Sequence, residues 1–272
     1  EAEEAYKKAI EIDPKHKWSW LELGNLLTGN LQEHAEAEEA FRKAVEIDPE
    51  FAGGWNNIGN VLVHVKRYTE AEEAYRKGIE IDPDFSMIWS NLIKLHLGVM
   101  AAYESAYQSV NQFFEACGRS AENLNNMAWS FFQYAPKDHL NEAETWSREA
   151  VQQTPDNPDF QHTLASILGR LGNWDEALEI SARFLESKEF LEIGSSAITE
   201  FFITAAAAGY GEASLSVLEQ HSNRPALEPL IVGIKIFLGK KVRTAQEIME
   251  IGKDVAKRIE ERKGKSQKDE KE

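Results

Sequence analysis

Apolar positions recur along most of this chain at helical spacing. In the segment 70–83, Ala71, Ala74, Tyr75 and Gly78 fall at i, i+3, i+4 and i+7, with Glu, Arg and Lys between them. That pattern predicts an amphipathic helix with one buried face. The segment closes on Asp82-Pro83, where the residue before proline is pushed out of helical geometry. The stretches that precede such helices have a different composition. WLELGNLL from Trp20 and WNNIGNVL from Trp55 each carry a large aromatic and then a Leu/Ile-Gly pair. A glycine there lets a partner helix approach closely. Small residues facing large ones predict pairs of packed helices.

The pattern repeats. EAEEAYKKAIEIDP (1–14), EAEEAFRKAVEIDP (36–49) and EAEEAYRKGIEIDP (70–83) align without gaps, with ten of fourteen positions identical. Their starts lie 35 and then 34 residues apart, a period that signals a solenoid of helix-turn-helix units. Beyond residue 100 the match weakens. Repeat three opens with Trp89 and Leu92, but Ile93 stands where the glycine belongs, and an irregular second helix is expected over 103–117. Repeat four runs from about 121 to Pro155 with a longer internal loop, YAPKDHLNE, and repeat five covers 158–189. From 190 onward, helical pairs are expected at 195–208 with 212–221 and at 226–238 with 242–262. The last helix, with Val242, Ala245, Met249, Gly252, Val255 and Ile259 along one stripe, is expected to act as a solvating cap. Residues 263–272 contain no apolar side chain and are expected to be disordered.

These residues resemble the tetratricopeptide repeat (TPR) family. The family's helix-A aromatic, Leu and Gly match Trp20, Leu23 and Gly24, then Trp55, Ile58 and Gly59. Its helix-B residues match Ala37, Phe41 and Ala44, and its closing proline matches Pro49 and Pro83. The resemblance implies an all-α, right-handed TPR superhelix of about six to seven repeats with a C-terminal capping helix. Repeats would cover 1–189, the first reduced to its second helix, with degenerate pairs over 190–262. It also implies a protein–protein interaction module that binds a peptide or partner segment in a concave groove.

Composition narrows the function classes. Formal net charge is −16 and no basic stripe is visible, which argues against a nucleic-acid partner. With the single cysteine Cys117, neither a disulfide nor a Cys-based zinc site can form within the chain. No signal peptide and no apolar run of about 20 residues stands out, so no membrane association and a cytoplasmic location are expected. Glu1 opens inside a helical pattern, as a piece of a longer chain would. Phosphate loops, H-E-x-x-H and G-x-S-x-G motifs are missing, so no enzyme and no cofactor or metal is expected. Gly209-Tyr-Gly211 lacks the third glycine of a dinucleotide fingerprint and reads as an inter-helix turn. Scattered histidines such as His64 and His162 read as surface or partner-contacting residues. Trp20, Trp55 and Trp89 occupy the repeat's structural position and are expected in the core.

The unusual feature is asparagine. In the family's register the second, fifth, sixth and ninth residues of helix A face the groove. Here they include Trp18, Asn25, Asn56, Asn57, Asn60, Asn91, Lys94, Asn125, Asn126 and Trp129. The sixth position is Asn57, Asn91 and Asn126 in successive repeats. An amide carries both donor and acceptor and can pair with the backbone of an extended peptide. The row resembles the asparagine ladder in the TPR arm of O-GlcNAc transferase and those of nuclear-import solenoids. Asn is also common at these positions across the family, so consensus alone accounts for each residue. Chaperone-binding TPRs grip a terminal carboxylate with two Asn and basic residues. Asn25 and Asn57 match the asparagines, but Leu21, Met87 and Asn91 fill the basic sites. A sensor arm of a STAND-type signalling ATPase and the substrate-recruiting arm of a transferase stay open as alternatives.

Overall fold

The computed structural model describes residues 2–29, 33–186, 195–222, 227–240, 252–261 and 263. Among them there is no strand, and the fold is all-α. The chain divides into two compact units, Glu1–His139 and Leu140–Glu272.

The first unit contains α1 (Ala2–Ile12), α2 (Lys17–Leu27), α3 (His34–Ile47), α4 (Ala52–His64), α5 (Tyr68–Ile81), α6 (Ser86–Lys94), α7 (Tyr103–Cys117) and α8 (Ala121–Tyr134). Helices α2, α4, α6 and α8 are the A helices of successive repeats, and α3, α5 and α7 are the B helices that follow. The A–B fit rests on a glycine hole and an aromatic knob. A Cβ on Gly24 would lie 2.5 Å from the Phe41 ring, and one on Gly59 only 2.4 Å from Tyr75. Leu23, Leu27, Ile58, Leu62, Ile88 and Leu92 complete one continuous core.

The Asp-Pro signal stops α1, α3 and α5 and also builds the next turn. Asp48 and Asp82 both sit at φ −134°, and their N–H groups still close on Ala44 and Gly78. Their carboxylates accept the N–H two residues on, as Asp13 does for Lys15, which fixes the turn. The carbonyl of each following proline accepts the indole N–H six residues later: Trp20 to Pro14 (2.9 Å), Trp55 to Pro49 (3.2 Å) and Trp89 to Pro83 (2.8 Å). Only Trp89 is buried. Trp20 and Trp55 are half-buried rather than core, although all three make the same indole bond.

Repeat three departs from the pattern where the glycine is missing. Buried Ile93 is followed by a π-helical turn, Leu95–Val99, and by Ala101 in the left-handed region at φ 49°. Helix α7 then resumes the B position.

The second unit contains α9 (Asn141–Gln153), α10 (Pro158–Leu171), α11 (Trp174–Glu186), α12 (Ser195–Ala205), α13 (Gly211–Gln220) and α14 (Glu228–Phe237). Trp174 fills the hole at Gly169, where a Cβ would approach it to 2.6 Å. Gln161 takes the place of the tryptophan and donates its amide N–H to the Pro155 carbonyl. His162, expected at the surface, is buried, because its face of α10 lies inside the packed helix.

One stretch, Ile198–Gln220, is long and apolar enough by length and composition to cross a membrane, contrary to the sequence-based expectation. Gly209, at φ +100°, breaks it into α12 and α13, and half of its apolar window is buried. Residues 252–261 are helical and bury Val255, Ala256 and Ile259, with Val255 against Gly233 of α14. Val242, Ala245, Met249 and residues 264–272 lie outside the described residues.

Candidate functional site

Successive A helices of the first unit lie side by side, so residues at one register position stack from repeat to repeat. The stacked amides are bonded to one another. Asn57 Nδ2 donates to Asn25 Oδ1 (3.1 Å), linking α4 to α2. Asn56 Nδ2 donates to Asn57 Oδ1 at 3.4 Å, a long contact. Asn91 Nδ2 donates to both Asn56 Oδ1 (2.9 Å) and Asn60 Oδ1 (3.2 Å), linking α6 to α4. The Tyr75 hydroxyl also donates to Asn60 Oδ1 (2.8 Å), and burial pushes that phenol's pKa well above its ordinary value. A single amide chain therefore crosses three repeats.

That chain lines a cavity of about 480 Å³, with Asn25, Asn57, Asn60, Asn91 and Lys94 on its wall. Val61, Val63, Leu95, Val99 and Tyr134 supply an apolar side, and His64 faces in from the end of α4 while stacking on His34. Asn56 is buried behind the wall and acts through its neighbours' bonds. The other expected site residues lie elsewhere in the unit. Trp18 is 50% exposed and meets Phe51 edge-on at 5.3 Å, with Lys17 Nζ 5.2 Å from its ring. Trp129 packs on Phe132, Asn126 is exposed on α8, and Asn125 Oδ1 is buried with no hydrogen-bond partner among the described residues. The cavity thus takes in Tyr75 and Tyr134, which the A-helix register alone does not point to.

Negative charge is segregated from this wall, which carries no Asp or Glu. The acids cluster on B helices and are extensively paired there. Arg67 bridges Glu38 of α3 and Glu70 of α5, and Arg76 pairs with Glu72. In the second unit, Arg148 of α9 bridges Glu144 and Glu176. Below the wall, buried His96 places Nε2 3.3 Å from Glu72 Oε1, within ion-pair range but not aligned as a hydrogen bond. Burial pushes the His96 pKa down, outweighing the upward pull of Glu72. Burial pushes Glu72 up, but Arg76 and His96 outweigh it and hold that carboxyl below its ordinary range. Cys117, with its thiol on the Pro83 carbonyl, is pushed up by burial and by Asp84 and Asp82, the opposite of an activated nucleophile. Among the described residues no group of three His, Cys, Asp or Glu is placed to hold a metal.

Two models of the tetratricopeptide repeat match this sequence, over residues 52–85 and 5–39. Those two stretches are tetratricopeptide repeats, and the fold is a TPR-type α-solenoid. No curated protein matches it. Similar solved structures include YrrB, described as a TPR protein with an unusual peptide-binding site. It is 20% identical over 72% of this chain and 97% of its own, at a TM-score of 0.46. Pseudomonas aeruginosa pilF is 18% identical over 83% of this chain and 97% of its own, at 0.49. A chain of the APC/C hetero-tetramer Cut9–Hcn1 is 14% identical over 83% of this chain and 44% of its own, at 0.50. At these identities the likeness is one of fold. TPR arrays are protein-interaction repeats, and this chain is an interaction scaffold.

Proposed function

We propose that the first unit holds an extended segment of a partner protein against its A-helix wall, and that the chain serves as an adaptor rather than a catalyst. The observation that carries this is the amide chain Asn25–Asn57–Asn56–Asn91–Asn60 beside a cavity free of acidic side chains. An extended peptide offers N–H and C=O groups at regular intervals, and amides can bond both. An apolar side of Val61, Leu95, Val99 and Tyr134 receives the side chains between them. The amides already bond each other, so a partner exchanges hydrogen bonds rather than adding them. The net gain is about 0.5–1.5 kcal/mol for each exchange that improves geometry. A protein partner, not nucleic acid, fits a chain of net charge −16 with no basic stripe. Residues 190–262 then serve as the degenerate end of the array.

The test is a peptide array of capped nine-residue segments, probed with the full chain and with the Asn25→Ala/Asn57→Ala/Asn91→Ala variant. Peptides retained by the parent should bind the variant at least tenfold more weakly, while Glu73→Ala on the outer face leaves them unchanged. Circular dichroism establishes that the variant is folded. A folded variant that keeps every peptide at full strength would remove the wall as the binding site.

A further inference from the structure

The amide chain is polarised, and this sets the chemistry of its occupant. The oxygen of Asn60 accepts twice within the network, and those of Asn25 and Asn57 accept once each. The nitrogens are less used. Neither N–H of Asn25 or Asn60 finds a partner among the described residues, and Asn57 uses one of its two. Lys94 lies one turn beyond Asn91 on the same face of α6, where i and i+3 side chains are neighbours. Its ammonium has no ion-pair or hydrogen-bond partner among the described residues, although acids on the outer helices are widely paired. On the acceptor side, the Asn91 oxygen is unused among the described residues and those of Asn25 and Asn57 keep one lone pair each, fewer than the free N–H groups of Asn25, Asn57, Asn60 and Lys94. The cavity is therefore a surplus of donors around a free cation, in a wall without a carboxylate.

We propose, building on the groove as the binding site, that its occupant carries an acidic side chain, Asp or Glu, within the extended segment. That carboxylate pairs with Lys94 and accepts from the unspent amide nitrogen of Asn60. An ionised carboxylate is an acceptor only, so it matches the surplus without leaving a donor of its own unpaired. The acid is internal to the segment rather than a chain terminus. The positions that grip a terminal carboxylate in chaperone-binding relatives hold Leu21, Met87 and Asn91. The net charge of −16 does not oppose this at contact range, since no Asp or Glu lines the cavity and exposed charges are screened beyond roughly 10 Å.

The experiment uses the full chain and capped synthetic peptides retained by the array, each made with Asp or Glu at one internal position and with the Asn or Gln isostere. Fluorescence anisotropy should show the acid binding about three- to tenfold more tightly than its isostere, the range for one charge-assisted contact at a half-open site. Lys94→Gln should abolish that preference, bringing acid and isostere to equal affinity within the variant, and Lys77→Gln on the outer face should not alter it. Equal affinity of acid and isostere, a preference for Lys, or a preference that survives Lys94→Gln would overturn the acidic occupant while leaving groove binding intact. Tighter binding by an uncapped peptide without an acidic side chain would overturn it in favour of a terminal carboxylate. Peptides insensitive to the triple Asn→Ala change would overturn both the groove and its acidic occupant.

Discussion

His96 is a buried histidine whose surroundings favour the neutral ring. It faces Glu72 and Arg76 of α5 and Ser109 of α7, and burial dominates. In the second unit, burial likewise lowers the pKa of His162, against an upward pull from Asp159. An unfolded histidine titrates near its ordinary value of about 6.5, so on acidification the unfolded chain takes up protons that the folded chain resists. The contribution of each histidine is therefore fully present above pH 6.5 and is lost as pH falls through and below it. The limiting slope is about 1.4 kcal/mol per pH unit for each group. Glu72, held below its ordinary value, adds its own loss only at lower pH. Urea midpoints at pH 7.5, 6.5 and 5.5 should fall with acidification, and His96→Asn should flatten the fall for the first unit. An unchanged pH slope in that variant would show that His96 is not the titrating group. Nothing in the sequence around LHLGV marks this site, because burial of His96 depends on a π-helical turn that follows a missing glycine.

At the scale of the helix pair, the A–B fit is a contact between one absent Cβ and one ring. Gly59→Ala would place a methyl 2.4 Å from Tyr75 Cε1, and the ring is held by its hydroxyl bond to Asn60. Overpacking of this kind costs about 1–3 kcal/mol. Gly29→Ala meets nothing closer than 3.5 Å and serves as the control, expected within about 0.5 kcal/mol of the parent. Urea denaturation compares the two, and equal effects would mean that the glycine hole is not the packing determinant. This level of structure was legible because both of its signals are local. Asp-Pro stops a helix by sterics, and Gly59 with Tyr75 recurs as Gly24 with Phe41. The asparagine positions were legible too, as a register, but their partners were not. Asn57 bonds Asn25 across 32 residues and Asn91 bonds Asn56 across 35. Whether amides pair with each other or face outward depends on spacing between repeats, which no short motif encodes. The same limit applies to Trp20 and Trp55, which are half-buried where Trp89, with the same indole bond to a proline carbonyl, is buried.

For the molecule as a whole, an array of repeats is a chain of nearest-neighbour interfaces, and the element at its end decides whether apolar surface meets water. In the second unit, residues 252–261 close against α14 through two glycines. A Cβ on Gly252 would lie 2.3 Å from Val232, and one on Gly233 would lie 2.4 Å from Val255. So close a crossing buries Val255 and Ile259 on one side and Val232 and Ile234 on the other. Each such side chain contributes about 1.5–3 kcal/mol when fully buried. A chain ending at Lys240 should therefore melt several degrees lower and self-associate, read by light scattering. The truncation also removes charged residues, so Val255→Asp/Ile259→Asp in the untruncated 272-residue chain provides the second arm. It keeps the length and makes the charge more negative, yet should shift melting in the same direction. A truncated chain that stayed monomeric with unchanged melting would show that the end of this array is not capped by 252–261. If instead only the truncation lowered the melting point, the stabilising contribution would lie in residues 241–272 outside this apolar stripe.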